Sequence, residues 1–97
     1  MYEIGWSISA SLDLQFFSKS QIQMMFDEVD RRLRDEPLRA TRNLKRLRPN
    51  DLAELELRIS RYRVFYDVDE TEFRVTIVAV GVKRGARVLI RGEVYKL

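Results

Sequence analysis

A chain of 97 residues with 45% apolar side chains makes one small domain, residues 1–97, because a second core needs a much longer chain. Its 18 cations comprise 14 arginines and only Lys19, Lys45, Lys83 and Lys96 as lysines, and they face 15 anions for a net charge of +3. Histidine and cysteine are absent, which excludes disulfide frameworks, zinc or haem sites built on those residues, thiol nucleophiles and any triad that needs an imidazole base.

Taken in chain order, Tyr2, Ile4, Trp6 and Ile8 alternate with Glu3, Gly5, Ser7 and Ser9, the period of a strand with one buried face. Ser11 or Asp13 is placed to cap a short helical turn through Phe17. Ser18 followed by Gln21 has the form of a capping box, and Ile22, Met25, Phe26, Val29 and Leu33 then recur at helical spacing. They predict an amphipathic helix that ends before Pro37, with its Met and aromatic stripe turned to the core. From Leu38 to Asp51 the punctuation of Asn43 and Pro49-Asn50 predicts a loop, with a turn of helix around Arg42 to Leu47. Strand alternation returns at Leu55, Leu57 and Ile59 and again at Tyr62, Val64, Tyr66 and Val68. A third run, Phe73 to Val80, follows the polar turn at 69–72 and is closed by Gly81.

The pairing of these strands is legible. A tight turn at Ser60-Arg61 sets Ile59 opposite Tyr62, Leu57 opposite Val64 and Leu55 opposite Tyr66, so that six apolar side chains share one face; a slip by one residue would mix the faces. Carried through the next turn, the same pairing sets Val68 against Phe73, Asp67 against Arg74, Phe65 against Thr76 and Arg63 against Val78. The opposite face then gathers Glu54, Glu56, Arg58, Arg63, Phe65 and Asp67. Arg58 directly across from Arg63 is unfavourable unless an anion lies between them, and Glu56, diagonal to Arg63, is the candidate. Paired guanidinium forks of this kind also match phosphate oxygens and stay charged at any working pH.

Charge is segregated along the chain. Residues 31–48 carry eight cations against two anions, and residues 83–97 carry five cations against Glu93, while the intervening segments are acidic. No stretch approaches the roughly 18 apolar residues of a membrane span, and the first residues lack the basic start and apolar stretch of a signal peptide, so a cytoplasmic protein with no membrane partner is expected.

Tyr62-Arg63-Val64-Phe65-Tyr66-Asp67-Val68, Val78 to Arg84 and Arg91-Gly92-Glu93-Val94-Tyr95, preceded by Leu44-Lys45-Arg46-Leu47 and Leu57-Arg58-Ile59, resemble the RelE/ParE superfamily of bacterial toxin–antitoxin toxins over nearly the whole chain. The resemblance implies an α+β fold: an N-terminal strand, a helical hairpin, then an antiparallel meander forming a small sheet with the helices on one face. Members of that superfamily either cut mRNA on the ribosome, as RelE does, or poison DNA gyrase without being enzymes, as ParE does. An inactive relative retained as a binding subunit is a third possibility. All are paired with an antitoxin, and operator DNA is bound only through the antitoxin.

Carried onto this sequence, the resemblance makes Arg63 the phosphate-stabilising arginine, Arg84 or Arg91 the second site arginine, and Tyr95 the tyrosine near the scissile phosphate. Arg58, Arg42, Lys45, Arg46, Arg48 and Lys83 would hold RNA, and no cofactor or metal is implied. Where RelE-like chains carry lysines, this one has Glu54 and Glu56, which become the candidate bases. Tyrosine and lysine titrate well above neutral and arginine is a poor proton donor, so slow intrinsic cleavage that depends on the ribosome to orient the RNA is expected.

Overall fold

The computed structural model describes residues 1–96. Its elements are β1 (Glu3–Trp6), α1 (Ile8–Leu14), α2 (Lys19–Leu33), β2 (Leu44–Arg46), β3 (Leu55–Ile59), β4 (Tyr62–Asp69), β5 (Arg74–Arg84), β6 (Arg87–Ile90) and β7 (Glu93–Tyr95). The sheet runs β2-β3-β4-β5-β6-β7, antiparallel throughout, with β1 joining β5 in parallel. Both helices lie on one face of it, where Ala10, Leu14, Met25, Val29 and Leu33 meet Leu55, Leu57, Val64, Tyr66, Val75 and Ile77 in the main core. This is the α+β arrangement expected from the resemblance.

Two local expectations about the first forty residues hold and two do not. The capping box forms: Gln21 N–H donates to Ser18 Oγ at 3.2 Å and Ser18 N–H to Gln21 Oε1 at 2.8 Å. The helix stops at Leu33, short of Pro37. The first strand, however, ends at Trp6, because Ser7 Oγ accepts from Ala10 N–H at 3.0 Å and starts α1 four residues earlier than a Ser11 cap would. Ile8 is thereby turned outward instead of continuing the buried alternation, and Asp13 lies inside the helix rather than capping it. After α2 the chain is pinned to the sheet by Tyr66, whose buried hydroxyl donates to Pro37 O at 2.6 Å.

The predicted helical turn near Arg42–Leu47 is instead β2. Three residues are too few to show a period, but Arg58 N–H donates to Asn43 O at 2.7 Å and Leu47 N–H to Glu54 O at 2.9 Å, which extends the sheet by one short edge strand. The β3–β4 hairpin has the pairing read from the sequence: Leu55↔Tyr66, Leu57↔Val64, Arg58↔Arg63 and Ile59↔Tyr62, with Ser60 at φ 54° in the turn.

The β4–β5 register differs from expectation. Val68 pairs with Val75 and Asp67 with Thr76, and an irregularity at Phe65/Tyr66 then sets Phe65 opposite Ala79 and Arg63 opposite Gly81. The loop is longer than the sequence suggested: Asp69 Oδ1 accepts from Thr71 and Glu72 N–H at 3.0 and 3.1 Å, and Phe73 takes φ 52° before β5 begins. Gly81 does not end β5 either. A Cβ there would lie 2.8 Å from Leu89 O, so glycine is what lets β6 cross β5 closely. Nor is the face away from the helices purely polar. Phe65, fully buried, with Ala53 and Ala79, anchors a second apolar cluster packed by Leu47, Leu52, Val88 and Ile90.

Candidate functional site

On the face away from the helices, a group of cations lies beside the second apolar cluster at the β3–β4 turn end of the sheet. Arg58 and Arg63 stand opposite each other beside the β3–β4 turn, and Gly81 continues their row onto β5. The neighbouring row runs Lys83↔Val88↔Tyr95, from β5 across β6 to β7. Side chains alternate along a strand, so Arg58, Arg63, Lys83 and Tyr95 share this face.

Glu56 sits among these cations. Its carboxylate is buried and lies 3.0 Å from Arg58 Nε, and its charge also supports that of Arg63. It is therefore the anion that permits two arginines to face one another. Arg63 is only 7% exposed, and burial holds its guanidinium below the ordinary arginine value; Glu56 opposes that shift and Arg58 adds to it. Its Nη1 donates to Ser60 O and Tyr62 O, each at 2.9 Å. Of the five guanidinium donors, three remain on Nε and Nη2. A side chain fixed by two backbone bonds with an unspent fork is pre-organised to take a phosphate oxygen pair.

The remaining candidates separate from this group. Lys45 is paired with Glu56 at the β2 edge of the same face, whereas Arg46 lies opposite Leu55 on the helix side; Arg42 and Arg48 flank β2. Glu54 is four residues from Arg58 along the chain, about 13 Å of extended strand, and its carboxylate accepts a long 3.4 Å bond from Val68 N–H. Neither it nor the ion-paired Glu56 is free beside Arg63. Arg84 pairs with Arg87 at the β5–β6 hairpin and points to the helix side, where with Arg61, Tyr62, Phe16 and Leu89 it lines a cleft of about 390 Å³. Arg84 and Arg63 are thus on opposite faces of the sheet.

Arg91 is committed elsewhere. In the β6–β7 turn it takes φ 52°, and its Nε lies 3.0 Å from Oδ1 of Asp13, whose other oxygen accepts from Val80 N–H at 2.9 Å. Asp13 is fully enclosed, and burial raises its carboxyl above the ordinary aspartate value, against the lowering pull of the Val80 bond and Arg91. Sequence reasoning assigned Asp13 no such place. The available signal was that it occupies an internal position of the spacing Ala10, Asp13, Leu14, Phe17, where a carboxylate needs a partner. Arg61 was also missed; its guanidinium lies 5.6 Å from the Tyr62 ring centre.

Among the described residues no group of three or more acidic, His or Cys side chains could hold a metal ion, and no helix is long and apolar enough to cross a membrane. No described protein family and no curated protein sequence matches the chain. Among solved structures, a chain of the RelBE2 toxin–antitoxin complex from Mycobacterium tuberculosis superposes with a TM-score of 0.74 at 24% identity, over 84% of this chain and 91% of that one. That likeness, together with the strand order and helix placement, establishes that this chain has a RelE-like fold.

Proposed function

We propose that this protein is the toxin of a toxin–antitoxin pair and cleaves mRNA on the ribosome. The observation that carries the reading is the grouping of Arg58, Arg63, Lys83 and Tyr95 in adjacent rows of one sheet face, on a RelE-like fold. RNA cleavage by its own 2′-hydroxyl builds negative charge on the phosphorus oxygens, and the unspent donors of Arg63 meet that charge where it develops. Arg58 and Lys83 hold the flanking backbone, and Tyr95 or Lys83 passes protons. With Glu56 spent on Arg58, proton removal falls to weakly matched groups, and the ribosome supplies orientation in their place.

The partner is an antitoxin. The helix-side cleft between the α1–α2 connection and the β5–β6 hairpin combines exposed Phe16 with Arg61 and Arg84, a surface suited to an acidic amphipathic segment that folds as it binds. Such a segment would also reach the cations beyond the cleft.

The test is expression and ribosome-bound cleavage with Arg63→Ala. Wild-type chain should arrest growth and cut mRNA, with the variant slower by about 10²- to 10³-fold. Intact mRNA at every codon, with growth arrest unaffected by the variant, overturns the reading. One observation favours a second reading: carboxylates at Glu54 and Glu56 where the RelE pattern has lysines. Loss of gyrase supercoiling without RNA cleavage would support a ParE-like inhibitor, and no growth effect at all an inactive binding subunit.

A further inference from the structure

The edge of β5 that faces β1 and β6 is shared among three partners. β1 pairs with it from Arg74 to Ile77, and β6 from Val82 to Arg84. Between them α1 fills the gap: Ser7 Oγ donates to Val78 O at 3.4 Å, and Asp13 Oδ2 takes the Val80 N–H at 2.9 Å. A side chain thus completes the ladder where no strand reaches. The second oxygen of Asp13 is buried and has no aligned hydrogen bond; Arg91 Nε lies 3.0 Å from it, off the hydrogen-bonding direction, as the only cation paired with it among the described residues.

Arg91 sits at the tip of the β6–β7 hairpin, followed by Gly92 at φ 78°. The hairpin carries Tyr95, and among the described residues its ladder to the rest of the sheet is the short run from Val82↔Leu89 to Arg84↔Arg87. Near Gly81 it is also seated by close approach, but that contact has no directionality. Val88 and Ile90 seat it against the second apolar cluster, and the charged pair at its far end adds a directional tie to that apolar seat. Asp13, Arg91, Ile90 and Tyr95 all line one cleft of about 330 Å³, so the tie and the tyrosine belong to the same small region.

We propose that Asp13 is a positioning residue: held by Val80 N–H in the β5 edge, its carboxylate pairs with Arg91, latches the β6–β7 hairpin to α1 and so sets where Tyr95 stands relative to Arg63. Arg91 is then the hairpin's tether and not a phosphate ligand. Because the Asp13 side chain has no exposed surface, it cannot itself touch a substrate. The part of this inference that concerns catalysis rests on the ribonuclease reading above; the part that concerns the hairpin does not.

The experiment is amide hydrogen exchange on the full chain for Asp13→Asn, Arg91→Met, Arg91→Lys and the Asp13→Asn/Arg91→Met double variant. Asn keeps an acceptor for Val80 N–H while removing the charge. Each of the first two should speed exchange of the β6–β7 amides about tenfold and leave β3 and β4 unchanged, the double variant should be no worse than either, and Arg91→Lys should retain most of the protection. In the ribosome cleavage assay the same variants should lower kcat with little change in KM. Uniformly faster exchange in Arg91→Met, whose side chain is 44% exposed, would overturn the latch; so would unchanged hairpin exchange, or additive effects in the double variant. If the wild-type chain cuts no RNA, the ribonuclease reading fails alone, and the exchange data still decide the latch.

Discussion

The β3–β4 hairpin and the β6–β7 hairpin are built on opposite principles. The first lies in the middle of the sheet, is covered by apolar clusters on both faces, and its strand β4 is paired along its whole length with β5. The second lies at the sheet edge on a short ladder, seated by Val88 and Ile90 on one apolar cluster, with a glycine crossing and an ion pair at its tip. The first carries Arg63 on a rigid base, whereas the second carries Tyr95 on a short ladder. Under the proposed function, precision at the site would be set by the second hairpin.

This difference can be broken from either side. Leu57→Ala removes a fully buried side chain of β3 and should cost about 2–5 kcal/mol in urea denaturation, seen by every probe at once because the centre and the core are one unit. Gly81→Ala places a Cβ against Leu89 O and should cost about 1–3 kcal/mol, with near-ultraviolet signals of Tyr95 and exchange of β6 amides changing before the centre does. Equal loss of protection in both hairpins would show that they are not separate.

A smaller contrast concerns pH. Asp13 has its carboxyl raised by burial, so its contribution to stability is full below the unfolded value and declines as pH rises through the folded one; Asp13→Asn should flatten that decline in a series of urea midpoints. Glu28 behaves oppositely. Hydrogen bonds from Arg31 and Arg32 hold it below the ordinary glutamate value, so its contribution is present at neutral pH and lost as pH falls through the folded value. Glu28→Gln should cost about 0.5 kcal/mol at pH 7 and nothing once the wild-type carboxyl is protonated.

What the sequence disclosed follows the same division. Alternation over Leu55–Ile59 and Tyr62–Val68 sufficed for the register of the central hairpin, because burying six apolar side chains on one face leaves only one consistent pairing. It failed one strand later, where the Asp69 loop and the irregularity at Phe65/Tyr66 shift the pairing without leaving a periodic trace. The site was legible to the same extent: Arg58 opposite Arg63, with Glu56 between, could be written down from spacing. The separation of Arg84 from Arg63 could not, since the face of a residue on β5 depends on that same irregularity. Nor could the pairing of Arg91 with Asp13, which joins residues 78 positions apart through tertiary contact alone.

The arginine-and-glutamate construction of the site has a consequence for how the protein meets its surroundings. A nucleic-acid face made with histidine changes its grip between mildly acid and mildly alkaline conditions, but guanidinium groups do not titrate there. Under the proposed function, RNA binding at this face would therefore be governed by ionic strength more than by acidity. Each phosphate neutralised on a single strand steepens the loss of affinity with salt by about 0.7 in the double-logarithmic slope, so RNA held there as proposed would be released as the salt concentration rises.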